Sequence, residues 1–108
     1  MVIFETKLFS RQIAELLDDE EYRQLQEYLC SVPDAGDLIK GSGGLRKIRW
    51  RRAGSGKRGG IRAVYYWLTN RDQLFMLAAY AKSDQADMTP KQLEVLSALV
   101  AQELADDE

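Results

Sequence analysis

The chain is expected to fold as an α+β domain of order βααβββα, a mainly antiparallel sheet with helices packed on it. Three observations carry that expectation. A short β-branched and aromatic opening, Val2 to Glu5, precedes two stretches of helical apolar spacing. Three strand-like stretches then follow at short intervals, joined by glycine-rich or polar turns, as in a meander. A last helix announces its own start at Thr89-Pro90.

Length and composition bound the rest. A chain of 108 residues is expected to form a single domain, 1–108, with one core. No apolar run is long enough for a membrane span, and the opening residues lack the pattern of a secretory signal, so a cytoplasmic location is expected. One cysteine, Cys30, rules out an intramolecular disulfide and is read as a small buried side chain near a helix end. The chain has no His, which excludes imidazole-based zinc sites, Ser-His-Asp triads and His-based ribonuclease chemistry. No paired-carboxylate motif stands out, so no metal and no cofactor is expected.

The elements follow in order. Thr6 to Leu17 places Leu8, Phe9, Ile13, Leu16 and Leu17 at helical spacing. Asp18 is expected to cap a second helix, with Glu21 closing a capping box. Tyr22, Leu25, Leu29 and Val32 make its apolar stripe, and Pro33 stops it. Pro33 to Asp37 reads as a turn, and Leu38-Ile39 as a small apolar anchor. Gly41-Ser42-Gly43-Gly44 lacks the spacing of a dinucleotide loop or a P-loop and suits a sharp turn or a close backbone approach. Leu45 to Arg52 reads as a strand, 53–60 as a basic, glycine-rich hairpin loop, and Ile61 to Leu68 as a second strand rich in aromatics. Gln73 to Ala81 is almost wholly apolar and is expected to be the central, twice-covered strand. Thr89, Pro90 and Gln92 supply N-cap, first helical position and capping box for the last helix, with Leu93, Leu96, Val100 and Leu104 as its stripe.

Charge is segregated along the chain. Ten of the 15 Lys and Arg lie between Leu38 and Arg71, and none of the 17 Asp and Glu does. The small net charge of −2 hides this. In the strand from Leu45, alternation puts Arg46, Ile48 and Trp50 on one face and Lys47, Arg49 and Arg51 on the other. If Ile48 and Trp50 face the core, three cations project together about 6–7 Å apart. They repel one another unless an anion sits over them. The alternative is a solvated strand protected by its charges against edge aggregation. Phosphate of a nucleic acid is the anion that fits. Lys57 and Arg58 extend the basic stretch into the loop, and Arg62 opens the next strand. Tyr65 and Tyr66 are read as packing residues. Tyr80 is a candidate both for packing and for stacking on a base.

The run from Asp37 to Arg49, with GSGGLRKIR at its centre, and the run Lys57 to Tyr66, KRGGIRAVYY, followed by Tyr80-Ala81-Lys82, resemble the HigB-like branch of the RelE/ParE toxin superfamily. The resemblance covers nearly the whole chain. It implies a RelE-like fold and the toxin of a type II toxin–antitoxin pair. It further implies a ribosome-dependent, metal-independent mRNA endoribonuclease that cuts at the A site, next to rRNA, and inhibits translation. The implied partner is a cognate antitoxin with a helix-turn-helix domain. A K-x-K pattern on the active strand of RelE-type members matches Lys47 and Arg49. An arginine opening the next strand matches Arg62, and a basic residue after the last strand matches Lys82. A further arginine and a tyrosine used by RelE fall on Ser83 and Thr89 here, so the family's proton donor to the leaving group is absent.

These residues are the expected catalytic set: Arg49 and Arg62 as a phosphate clamp, Lys47 as a candidate base among Arg46, Arg49 and Arg51, and Lys82 in charge stabilisation. Arg46, Arg51, Lys57, Arg58 and Tyr80 are the expected RNA-binding groups, Tyr80 being also a candidate acid. Two other readings share the sequence: a ParE-like toxin that inhibits gyrase, and a non-catalytic RNA- or DNA-binding module.

Overall fold

The computed structural model describes residues 1–52 and 60–106. Five strands form one sheet in the order β1-β5-β4-β3-β2. They are β1 (Val2–Glu5), β2 (Asp37–Leu38), β3 (Arg46–Arg51), β4 (Gly60–Leu68) and β5 (Gln73–Ala81). Strands β3, β4 and β5 pair antiparallel as a meander, while β1 joins β5 in parallel. Helices α1 (Lys7–Leu16) and α2 (Asp19–Ser31) follow β1, and α3 (Pro90–Asp106) closes the chain. The architecture is the expected α+β one, with two differences. The two residues of β2 add an edge pairing where a turn and anchor were expected, and the middle strand is β4, with β5 beside it.

Local signals set the helix ends. Thr6 caps α1, its side chain accepting from the Phe9 N–H. Asp18 and Glu21 form the reciprocal capping box of α2. Thr89 and Gln92 do the same at α3: the Gln92 N–H donates to Thr89 Oγ1 at 3.1 Å and the Thr89 N–H to Gln92 Oε1 at 2.9 Å.

The sheet is covered on both faces. On one face α1 and α2 bring Phe9, Ile13, Leu17, Leu25 and Leu29 onto Ile48, Ile61, Ala63, Tyr65, Leu74, Met76 and Ala79. On the other, Leu96 and Val100 of α3 pack on Leu45, Val64, Leu68, Phe75, Leu77 and Ala78. Strand β5 contributes to both clusters, so its nearly unbroken apolar run is the signature of double coverage. Cys30, expected to be buried, is exposed. The helical period that turns Leu25 and Leu29 inward carries the next residue round toward solvent.

A register shift between Val64 and Tyr65 interrupts the β4–β5 ladder. Val64 pairs with Ala78 but Tyr65 pairs with Met76, which leaves Leu77 as the extra residue. Helix α1 meets the disturbed backbone. Thr6 Oγ1 donates to the Leu77 carbonyl at 2.8 Å, and the Ala79 N–H donates to Gln12 Oε1 at 2.8 Å. The bulge switches sides along β5. Leu74 and Met76 belong to the α1–α2 face, whereas Ala78 and Tyr80 belong to the opposite one.

The 41–44 turn is structural. Gly44 has φ of +106°, a conformation that favours glycine. The buried Ser42 hydroxyl accepts from the Leu45 N–H, and its carbonyl accepts from the Ser97 hydroxyl at 2.7 Å, which ties the turn to α3.

Candidate nucleic-acid interface

Cross-strand register builds the site in rows. Arg49 on β3 lies directly opposite Arg62 on β4, and Arg62 lies opposite Tyr80 on β5. One step inward, Lys47 pairs with Val64 and Val64 with Ala78. One step outward, Arg51 pairs with Gly60, whose carbonyl accepts from the Lys82 N–H at 3.2 Å. Residues two apart on a strand share a face, so Lys47, Arg49, Arg51, Arg62 and Tyr80 all lie on the face that α3 covers only in part. The expected division of β3 is the one observed: Ile48 belongs to the α1–α2 core and Trp50 packs against it.

The environments differ within that face. Arg49 and Arg51 are exposed, as is Lys82 just beyond the strand end. Arg62 is only 8 % exposed, and its guanidinium donates to the Ile61 carbonyl at 3.2 Å. An arginine held this way is fixed before a ligand arrives. Directly opposed like charges on neighbouring strands destabilise a sheet, so the Arg49–Arg62 pair costs the free protein something that a bridging anion would relieve.

Lys47 is not the uncompensated amine expected of a base among three arginines. Its Nζ lies 2.9 Å from Asp87 Oδ1, in the connection between β5 and α3. The hydrogen bond from Lys47, helped by the Met88 N–H, holds the Asp87 carboxyl below the ordinary aspartate range. Tyr80 is 8 % exposed. Burial pushes its hydroxyl above the usual phenol range; the Asp87 charge adds to this and Arg62 opposes it. Asp87 is therefore close, yet the buried Tyr80 hydroxyl has no hydrogen bond of normal geometry. Sequence reasoning passed over Asp87 by assigning the acids to helices and termini. The available signal was an acid two residues before a strong N-cap, just after the last strand.

Two groups of expected residues do not join the site. Arg46 points to the opposite face, where its guanidinium donates to the carbonyls of Gly36 at 2.8 Å and Asp34 at 3.3 Å. It clamps the turn after α2 and lies away from the basic rows. Lys57 and Arg58 lie outside the described residues. Among the described residues no cluster of three Cys, Asp or Glu could hold a metal ion, and no helix is long and apolar enough to cross a membrane.

Solved structures share this fold. A chain of the intact E. coli RelBE toxin-antitoxin complex superposes with a TM-score of 0.57 at 17 % identity, over 74 % of this chain and 94 % of that one. The free state of a mutant E. coli toxin RelE gives a TM-score of 0.53 at 19 % identity, over 79 % and 86 % of the two chains. Both likenesses are of fold. The sequence itself, over residues 1–108, matches the family described as the RelE toxin of the RelE/RelB toxin-antitoxin system. A basic three-strand row on a RelE-type sheet thus stands on a chain that, along its whole length, belongs to the RelE toxin family.

Proposed function

We propose that this chain is the toxin of a type II toxin–antitoxin pair, of the HigB-like branch, and that it cuts mRNA in the ribosomal A site without a metal of its own. The row Arg49–Arg62–Tyr80, flanked by Lys47, Arg51 and Lys82, is the observation that supports this reading. In the reaction the 2′-oxygen attacks the adjacent phosphorus and the bond from phosphorus to the 5′-oxygen breaks. The 2′-hydroxyl gives up its proton to solvent and the departing 5′-oxygen takes one from a donor in the site. Charge accumulates on the non-bridging oxygens, where the preorganised guanidinium of Arg62 and the exposed one of Arg49 stabilise it. Lys47 and Lys82 add positive charge on either side. Tyr80, at the end of the row, is the candidate donor to the leaving oxygen once its buried hydroxyl turns to face the substrate. Arg51 binds the phosphate chain beyond the cut.

The partner in this reading is a cognate antitoxin with a helix-turn-helix domain. It docks on apolar helical surface beside the basic rows: Leu8 of α1 and Val95 of α3 are exposed and line one cavity of about 210 Å³ with Met88 and Leu96, which reaches the rows only at Tyr80.

Mapping mRNA 5′ ends after incubation with translating ribosomes tests the reading. Cuts confined to the A-site codon are expected. Gyrase-dependent DNA breaks without mRNA cuts would instead support the gyrase-inhibiting alternative, and RNA binding with neither would leave a binding module.

A further inference from the structure

Asp87 poses an electrostatic question. A carboxylate on a phosphate-binding face repels the ligand, and among the described residues Asp87 is the one acid ion-paired to a cation of the basic rows. Stability does not explain it. The Asp87 side chain is 66 % exposed, and ion pairs so hydrated contribute little to folding. Its acceptance from the Met88 N–H does not require a charge either, since an amide oxygen would serve.

The residue is nonetheless held with care. Gln85 Nε2 donates to the Asp87 carbonyl at 2.7 Å and to Gln92 Oε1 at 2.7 Å, so the α3 capping box fixes the segment that carries Asp87. From there the carboxylate reaches Lys47 on β3 and faces Tyr80 on β5. It thereby connects β3 of the site with the start of α3. Lysine is a flexible point charge on a four-carbon stem, and a site that must stabilise a transition state needs that charge in one place before reaction.

We propose that Asp87 is a positioning residue of the cleavage site. It holds the Lys47 ammonium in the arrangement the scissile phosphate meets. The inference rests on the ribonuclease reading above. Its consequence is a separation of rate from binding. Removing the charge while keeping the hydrogen-bond acceptor relieves repulsion of phosphate but releases Lys47.

The test compares wild type with Asp87→Asn and Asp87→Glu, using ribosomes programmed with a defined mRNA at single turnover. Asp87→Asn is expected to lower the maximal cleavage rate at least tenfold, with half-saturation unchanged or reached at lower concentration, and with an unchanged melting temperature. Asp87→Glu is expected to recover part of the rate. In the isolated toxin, the Lys47 ammonium signal in nitrogen-detected NMR should be protected from exchange in wild type and lost in Asp87→Asn. A full cleavage rate in Asp87→Asn overturns the proposal. So does a rate loss that merely follows a lowered melting temperature, and so does an unprotected Lys47 in the wild type. A wild type that cuts no mRNA overturns the ribonuclease reading and this role with it, whereas an active wild type with an equally active Asp87→Asn removes the positioning role alone.

Discussion

Arg46 and Arg49 sit three residues apart on β3 and do opposite things. Arg46 faces α2 and donates to the backbone carbonyls of Asp34 and Gly36. Around it Tyr65 is fully buried, its hydroxyl donating to the Pro33 carbonyl at 2.7 Å and accepting from the Gly36 N–H at 2.9 Å. Gly36 belongs there because a Cβ would come within 2.8 Å of the Tyr65 ring. Arg49, on the other face, is exposed opposite Arg62. The cation that finds acceptors in the fold becomes structure. The cation left opposite another cation is available for a ligand. Which fate a basic residue meets depends on strand parity and on how far the covering helices reach.

The largest effect should come from charge reversal on the open side. Arg49→Glu is expected to lower mRNA cutting by about 10²–10³-fold, with a melting temperature close to wild type. Equal toxicity at equal abundance would remove Arg49 from the clamp. Arg62 is not an equivalent test, although sequence alternation treats the two alike. At 8 % exposure, Arg62→Glu would place a buried acid in the sheet and damage folding as well. Arg62→Lys keeps the charge and loses the bidentate fork, so it is expected to reduce cutting while the protein stays folded.

On the covered side, loss of stability is expected with the chemistry intact. Trp50 is half-buried and packs against Tyr28 at a ring separation of 5.6 Å. Trp50→Ala should cost about 2–3 kcal/mol, less than a fully enclosed Trp. An unchanged thermal midpoint would mean that the ring contributes nothing to the core.

Tyr65→Phe should cost about 1–3 kcal/mol, because the Gly36 N–H and the Pro33 carbonyl lose a buried partner. Burial, above all, raises the Tyr65 hydroxyl above its ordinary value. A group raised in the folded state stabilises fully below its unfolded value, near 10, and that stabilisation is lost as pH rises through the folded value. Wild type should therefore lose stability above about pH 10, and Tyr65→Phe should lose less over the same range. Parallel curves would show that this hydroxyl does not couple to folding.

The smallest effect expected is that of salt on antitoxin binding. Docking on the Leu8–Val95 side buries apolar surface and should weaken little as ionic strength rises, whereas RNA binding to the basic rows should weaken strongly. A steep salt dependence of the toxin–antitoxin affinity would move the antitoxin onto the basic face.

Much of this molecule is written locally. Apolar period and capping residues placed α1, α2 and α3 because a helix end is satisfied by its own neighbours. Two-residue alternation sorted β3 into Ile48 and Trp50 against Lys47, Arg49 and Arg51, since a strand has only two sides. The same alternation fails on β5. Counted from Leu74, it sends Tyr80 to the α1–α2 face. The extra residue at Leu77 reverses this, and Thr6 and Gln12 stabilise the reversal from 71 and 67 positions away. The burial of Arg62, the carbonyl partners of Arg46 and the meeting of Asp87 with Lys47 across 40 residues likewise depend on contacts that no local pattern encodes. Sequence alone determined the elements and the basic character of one strand face, because those follow from short-range geometry. Tertiary structure decided which charged and polar groups meet there, because register, bulge and helix coverage are settled only when distant segments pack.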